Sequence, residues 1–545
     1  MKAHTARLVS LLVGLGSVAP VIASDSFSEF HHGGKPLELP QTTACLENQL
    51  AQGKAANSFS GIAAAIVLDG RIVYHRGFGT VSPTSTQTVR PSTRFRFGSV
   101  TKSMTATALL SYAEEGRIRL HAPVTDLLPG FSLLGGEPGW SDRLTPHLLM
   151  THQGGMPDAP DRNGPGDDSA LATSFYDPAF LETVPLMVAP GTFWNYSNTN
   201  FSLAGLVVER AAGRPYREVM RRRVFRPLGM TRAVFLPSEV MADNDFAYGV
   251  FNGGVIAPDA FDDAVLRPAG TAWGSVDDLA HYMQFLMDGN HEVLSPRMWR
   301  TQQARHVDTH ELLDLEGYGY GLFVEKDAGF FDSQHQLNLY KGVKVVWHGG
   351  DIDGYRSTMM TVPRQRFGYA SVVNGNYDAP ATNLIPCYQI AAVETIGSRL
   401  PAPSPWPGPD VQRDRFVDYV GNYADRIGVA GPAIVTIGPA GFLRIRFPML
   451  DEAGVPYDPV LHPFNRDNFT LFVSDLALEV TGIREAGSNR IAYLRTRFTV
   501  LARTPDAQTS LRAAATPANA PARALDIKAL MKALRAAAKD QSTAP

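Results

Sequence analysis

A serine hydroxyl becomes a strong nucleophile only when a base takes its proton and nearby positive charge favours the alkoxide. Ser99-Val100-Thr101-Lys102 is the one place in the chain where a Ser is followed three residues later by a Lys. The residues after it, Ala106 to Glu115, read as a helix closed by Gly116. That spacing predicts Ser99 at the helix N-terminus and Lys102 one turn later on the same face. The helix end supplies partial positive charge and free N–H groups. Lys102 supplies an ammonium, or an amine base once buried. A plainer reading has Ser99 capping the helix and Lys102 in water.

Two further pieces carry chemistry. Tyr196-Ser197-Asn198 follows the turn Pro190-Gly191-Thr192 and precedes a helical pattern from about Phe201 to Ala212. Side chains at such a loop-to-helix junction can project into a cleft. His348-Gly349-Gly350 ends a strand-like run, and the missing side chains allow a substrate backbone to come close. Taken singly each has a plain alternative: aromatic core packing around Tyr196, a structural strand histidine, and a bulge at the two glycines.

These pieces need a scaffold. Gly61 to Leu68 and Arg71 to Phe78 read as a hairpin around Asp69-Gly70. Strand patterns return at Lys344–His348, Tyr355–Val362 and Phe367–Val373, and Cys387 to Ile396 reads as a helix. Helical patterns fill the interval, including Tyr216–Phe225 and Val276–Met287, and Gly154 to Ala170 reads as a long loop. This order predicts an α+β body: one antiparallel five-stranded sheet drawn from both ends, flanked by helices, with a mostly helical insertion. Pro401 to Pro409 reads as a stiff linker. Short apolar runs at Ala433–Ile437, Phe442–Phe447, Phe469–Val473 and Ile491–Leu501 then predict a small all-β barrel or sandwich.

A chain of 545 residues is too long for one core. The predicted division is a signal peptide at 1–24, a catalytic domain at 25–400, a linker at 401–412, a β domain at 413–503 and an Ala/Pro-rich tail at 504–545. Lys2 and Arg7 precede an apolar run from Leu8 to Ile22, and Val21 and Ala23 have the spacing that a signal peptidase reads. An uncleaved anchor is the alternative, although the run is short and broken by glycine. Export places the protein in the periplasm or outside the cell, with no stable membrane span after cleavage. The tail reads as disordered, with one surface helix over Leu525 to Lys539. A formal charge of −3 and the lack of a phosphate-binding glycine loop give no footprint of a nucleic-acid or nucleotide partner. No cofactor is expected. Neither Cys45 nor Cys387 has metal-ligand spacing, so no metal is expected either. In an oxidising compartment two such cysteines can pair.

Taken together, the three boxes resemble the serine β-lactamase and penicillin-binding-protein-like hydrolases, in the branch of class C β-lactamases, D-aminopeptidases and carboxylesterases. The resemblance runs from about Leu46 to Leu400 and includes Leu144 to Pro157, Pro190 to Asn198 and Gly317 to Gly321. Phe416 to Tyr423 resembles the opening of the lipocalin-like domain that follows some of these enzymes. The resemblance implies that Ser99 is acylated and that Lys102 and Tyr196 share the proton transfers. Asn198, His348, Gly349 and Gly350 would meet the substrate, and the backbone N–H groups of Ser99 and Asp351 would form the oxyanion hole. It also implies a Cys45–Cys387 disulfide, because the first and last helices of that fold lie side by side. His348 stands where the β-lactamases carry a lysine. A mostly neutral imidazole there favours esters, small amides or peptides, including D-amino-acid ones, over β-lactams. A class C-type β-lactamase or cell-wall D,D-peptidase is the alternative. A silent penicillin-recognising scaffold is disfavoured by the intact Ser, Lys and Tyr. An α/β-hydrolase is disfavoured by the lack of a G-x-S-x-G elbow. The expected partner is a small ester, amide or peptide.

Overall fold

A computed structural model of the chain describes residues 37–158, 166–251, 253–310, 315–332, 336–375, 380–427, 430–474, 476–497 and 499–504. The signal-peptide segment and the tail with its predicted helix lie outside the described residues.

The chain opens with α1 (Pro40–Ala55), then β1 (Phe59–Leu68) and β2 (Arg71–Gly79). Asp69 and Gly70 turn the hairpin with positive φ at both positions, the geometry that Asp-Gly supplies at least cost. The helices that matter to the site follow: α2 (Thr101–Glu114), α3 (Pro146–Met150), α4 (Asn198–Ala212) and α5 (Val276–Asp288). Three short strands come next, β3 (Val307–Asp308), β4 (Glu316–Tyr318) and β5 (Phe323–Glu325). Three long ones complete the sheet, β6 (Val345–Ile352), β7 (Tyr355–Val362) and β8 (Phe367–Gly375), before α6 (Ile385–Ile396). The order across the sheet is β2-β1-β8-β7-β6-β5-β4-β3, with antiparallel neighbours.

The expected sheet had five strands, and the structure has eight. The five long strands are those read from sequence. The three added ones are two or three residues long, too short to show a period-2 pattern.

Alternation explains the layers. On β1, Ala63, Ala65 and Val67 face one apolar cluster with residues of α2 and α5, while Ile62, Ala64 and Ile66 face a second with residues of α1 and α6. The central strands are covered on both faces, so they read as continuous apolar runs. Cys45 of α1 and Cys387 of α6 form a disulfide on the second face, with Cα atoms 5.6 Å apart across 342 residues of sequence.

The prolines at 401–409 are less detached than a linker would be. Ser404 and Pro405 pair with Leu339 and Asn338, adding an edge to the hairpin Ala328–Phe331 and Leu337–Tyr340. Beyond them come β9 (Gly421–Asp425), β10 (Pro432–Ile437), β11 (Leu443–Arg446), β12 (His462–Pro463), β13 (Asn468–Val473), β14 (Leu476–Arg484), β15 (Ile491–Arg495) and β16 (Val500–Arg503). Their order is β11-β10-β9-β16-β15-β14-β13-β12. The ends nearly close. Ile445 N–H donates to Pro459 O at 2.8 Å and Leu461 N–H to Leu443 O at 3.0 Å, which joins β11 to the lead-in of β12. The result is a nearly closed eight-stranded barrel. The apolar run read over Ile491–Leu501 is two strands, because Thr496 N–H donates to Thr499 O at 2.9 Å and turns the chain. No helix of the described residues is long and apolar enough to cross a membrane.

The disulfide closes a very long loop, so replacing Cys45 and Cys387 together by Ser should cost about 2–4 kcal/mol of stability. Denaturant midpoints of the oxidised protein and the double variant measure this. Alkylation of both thiols in the native, unreduced protein would disprove the bridge.

Candidate active site

The site forms where the first turn before α2 meets the end of β6. Gly98–Val100 makes a single tight turn ahead of α2. Gly98 has φ of +52°, and a Cβ there would lie 2.6 Å from Asp351 N. A Cβ on Gly350 would lie 1.9 Å from Phe97 O. Only glycine at both positions lets these backbones press together. Ser357 Oγ then donates to Phe97 O at 2.7 Å and fastens the contact. The backbone around Ser99 is thereby held against the backbone at Asp351.

Residues Thr101 to Tyr112 of α2 are all buried. A helix covered on every side can carry polar groups only if each finds a partner. Thr101 Oγ1 donates to Gly98 O at 2.7 Å, Thr105 Oγ1 lies 2.7 Å from Tyr216 Oη, and Gln302 Nε2 donates to Ser103 O at 2.9 Å. Lys102 is wholly buried. Its Nζ lies 2.9 Å from Ser99 Oγ, 2.5 Å from Asn198 Oδ1 and 2.7 Å from Ala269 O. An ammonium has three N–H donors, and here three oxygens receive them. Nζ also lies 4.9 Å from the centre of the Tyr196 ring.

Tyr196 and Asn198 are held by the loop after α3. The Asn195 N–H donates to His152 O at 2.8 Å, and Ser197 N–H donates to His152 Nδ1 at 3.1 Å. Ser197 Oγ donates to Pro157 O at 2.8 Å. Asn198 N–H donates to Asp158 Oδ1 at 2.8 Å, which caps α4 with a charge at its positive end. The His152 ring packs 4.2 Å from the Tyr196 ring. Burial, then the charge of Lys102, drives the His152 pKa well below the ordinary 6.5. It therefore stays neutral, as an Nδ1 acceptor must.

His348 is buried as well, and its pKa is pushed down to about 3 by burial and then by the charge of Lys102. Its Nδ1 lies 2.5 Å from Gly349 O and its Nε2 lies 3.0 Å from Tyr318 Oη. A carbonyl only accepts, so Nδ1–H donates to Gly349 O and Nε2 accepts from the Tyr318 hydroxyl. Both ring nitrogens are thus engaged inside the protein. Ser99, Asn198, Gly349 and Asp351 are half-buried, while Lys102, Tyr196 and Gly350 lie behind them. Cys45 and Cys387 are on the opposite side of the sheet.

Ser99, Lys102, Tyr196 and Asn198 converge, although 99 positions separate the first from the last. Sequence reading missed four residues at the site: His152, Asp158, Tyr318 and Arg497. His152 and Tyr318 lie in stretches read as family-like, but a buried histidine and a buried tyrosine carry no separate signal. Asp158 lies in the Gly154–Ala170 stretch, whose composition marks a loop and singles out no residue. Arg497 comes from the barrel, and its guanidinium carbon lies 4.1 Å from the Tyr196 ring centre. No local pattern announces such a contact. Among the described residues no group of His, Cys, Asp or Glu is placed to hold a metal.

A sheet covered by helices, with a Ser-x-x-Lys turn facing a Tyr-x-Asn loop, is a serine-hydrolase arrangement. The sequence model described as Beta-lactamase matches residues 46–388, and the chain belongs to that family. It is 27% identical over 334 residues to the unguisins hydrolase ungD' of Aspergillus campestris, covering 58% of this chain and 59% of that protein. It is 32% identical over 216 residues to the esterase EstB of Burkholderia gladioli, covering 37% of this chain and 54% of that one. The chain therefore spans a little over half the length of these relatives. The crystal structure of SurE with D-Leu shares the fold, with a TM-score of 0.61, 21% identity, and coverage of 85% of this chain and 99% of that one.

The buried histidines set a pH dependence. An unfolded His348 binds a proton near its ordinary value of 6.5, and the folded one refuses it down to about 3. Stability is therefore lost as pH falls below about 6.5. Glu325 acts in the opposite sense, because burial raises its pKa to about 7 and the folded state gains its proton first. The two effects separate in a comparison of urea midpoints for the wild type and His348→Gln from pH 7.5 to 4.5. The wild type should lose stability faster than the variant. Parallel curves would show that His348 is not held neutral.

Proposed function

We propose that the protein is an exported serine acyl hydrolase that works through an acyl-enzyme on Ser99. The observation that carries this reading is the triple contact of Lys102 Nζ. As an ammonium it donates to Ser99 Oγ, Asn198 Oδ1 and Ala269 O. As an amine it keeps two donors and gains a lone pair. Asn198 Oδ1 and Ala269 O can only accept, so the two donors stay with them and the lone pair faces Ser99 Oγ. Losing one proton turns the Ser99 contact from a donor to a base without moving an atom.

In the reaction, Lys102 and Tyr196 take the Ser99 proton as Oγ bonds to the acyl carbon. The carbonyl oxygen becomes an oxyanion between the N–H groups of Ser99 and Asp351. The proton then passes to the leaving alcohol or amine as its bond to carbon breaks. Water attacks the ester on Ser99, the same pair receives its proton, and the acid departs as Oγ regains a hydrogen. Asn198, with Oδ1 committed to Lys102, offers Nδ2 to a substrate carbonyl. Gly349, where a side chain would meet nothing closer than 3.8 Å, lets the acyl chain lie along β6, while Gly350 holds that strand against Phe97. His348 acts at the back of this wall through Tyr318.

Esters and small amides or peptides, including D-amino-acid ones, are the favoured substrates. A neutral, internally bonded His348 offers no point charge to a carboxylate. The similarity to EstB, and to SurE crystallised with D-Leu, supports the same range. Export to the periplasm or beyond is supported by the Cys45–Cys387 disulfide.

Ser99→Ala should lower turnover of the best substrate by about three to six orders of magnitude and leave the fold intact. A serine-directed phosphonate should label Ser99 alone. A panel of p-nitrophenyl esters, D-amino-acid anilides and a chromogenic cephalosporin identifies the substrate class. Rapid cephalosporin hydrolysis with negligible ester turnover would make a β-lactamase the function.

Tyr196→Phe and Lys102→Ala should each be severe, and the double variant should be far less than additive, because the two serve one proton path. Multiplying effects, measured as kcat on one substrate, would assign them separate roles.

A further inference from the structure

The tip of the barrel hairpin reaches the catalytic loop. Arg497 sits in the turn between β15 and β16. Its guanidinium carbon is 4.1 Å from the Tyr196 ring centre, and Nε donates to Asp158 Oδ2 at 2.8 Å. The other oxygen of that carboxylate receives the Asn198 N–H at 2.8 Å. Asn195 Nδ2 donates to Arg497 O at 3.2 Å. The Arg497 side chain is 14% exposed and that of Asp158 only 3%.

Arg495, two residues earlier, holds the same segment from the other side. It donates to Trp194 O at 2.5 Å and Thr309 O at 3.0 Å, and its guanidinium carbon is 5.2 Å from the Trp194 ring. Phe193 packs on Tyr493 at 5.3 Å, and Val500 joins Met187, Val188 and Phe193 in one apolar cluster. One hairpin of the barrel therefore grips Phe193 to Asn198 by ring faces, carbonyls and a helix cap.

We propose that Arg497 is a positioning residue of the active site, so that the barrel completes the machinery. The contacts run in series: Arg497 to Asp158, Asp158 to the Asn198 N–H, Asn198 Oδ1 to Lys102, Lys102 to Ser99. In parallel the guanidinium lies over the Tyr196 ring. A guanidinium stacked on a ring and paired with a nearly buried carboxylate resists sliding, since moving it away would strip the Asp158 carboxylate of its cation. Displacing a reacting group by about 1 Å can cost on the order of a hundredfold in rate. The field of Arg497 also reaches the loop: its charge is among those that keep His152 and His348 neutral. This inference rests on the hydrolase reading for its rate effect, but not for its structural effect.

The test uses the full chain as Arg497→Met, Arg497→Lys, Asp158→Asn and the Met/Asn double variant. Ester kcat and KM, the rate of phosphonate labelling at Ser99, and hydrogen exchange of the segment 194–199 are measured on each. Arg497→Met should lower kcat and labelling by about 10- to 100-fold with KM changed less than about 3-fold. Lysine keeps the charge and should restore part of the loss. Asp158→Asn should act alike, with the double variant no worse than the stronger single one. Exchange at 194–199 should rise about tenfold or more in Arg497→Met. Wild-type kcat with unchanged exchange would overturn the proposal. So would a loss confined to KM for substrates with a free carboxylate, which would make Arg497 a substrate contact. If the wild type neither turns over esters nor labels, the hydrolase reading has failed, and exchange alone decides the clamp: a rise supports it and no change overturns it.

Discussion

The structure depends on keeping an amine dry. Lys102 is wholly buried in a helix that is itself covered on every side. A lone buried ammonium is among the most unfavourable groups a fold can hold. Three oxygens around Nζ offset that burial, and they come from three separate parts of the chain: the turn before α2, the start of α4 and the segment near Ala269. The arrangement therefore fixes those parts relative to one another. In the proposed mechanism the group that demands compensation is also the one whose proton moves. An exposed lysine at the same place would find water as a partner and would fix nothing.

A second constraint is the approach of two backbones. Gly98 and Gly350 sit where any side chain would collide with the facing main chain. Their contact joins the first turn before α2 to β6, which ties the helix layer to the sheet at the site itself. The three β6–β8 strands, closed into the sheet by β1, hold β6 rigid, so the Asp351 N–H has a fixed direction. In the proposed mechanism a preorganised N–H group of this kind stabilises the oxyanion without rearrangement. The disulfide on the far face holds α1 to α6 and keeps the two ends of the sheet-forming sequence together.

How much of this was legible in the sequence depended on distance along the chain. The hairpin at Asp69-Gly70, the long apolar strands and the helix after Ser99 are local patterns, and they are found where the patterns put them. The three boxes were visible because their residue types are unusual in combination. Strands β3 and β5 show no pattern, since two or three residues hold no period, and β4 is marked only by the resemblance of Gly317–Gly321 to the family's glycine-aromatic strand. The turn at Thr496–Thr499 was not visible either, since it contains no Gly, Pro or Asn and its hydrogen bonds come from threonine. The place of His348 in its box points to a ring that faces the substrate. Its ring instead bonds Gly349 O and Tyr318, and burial rather than sequence position sets its charge. Arg497 and Asp158 are 339 residues apart, and no window of sequence contains both.

That distance is itself informative. The barrel is attached at two places remote from one another in sequence. Ser404 and Pro405 add a short strand to the hairpin at Leu337–Tyr340, and the β15–β16 turn docks on the Tyr196 loop. Either contact alone is small, and a single short strand is easily lost. With the first formed, the second becomes an intramolecular event at high effective concentration, and each raises the occupancy of the other. An extended proline segment strengthens this coupling, because it limits how far the barrel can drift when one contact opens. Arg426 adds a third, exposed contact to Glu137 at 2.9 Å, which by itself contributes little. The energetic weight falls on the Arg495–Arg497 turn, where the carbonyls, ring faces and carboxylate it meets are largely buried. A turn so placed makes its contacts only with the Phe193–Asn198 segment in the shape the structure shows, so docking of the barrel and order in that segment favour one another.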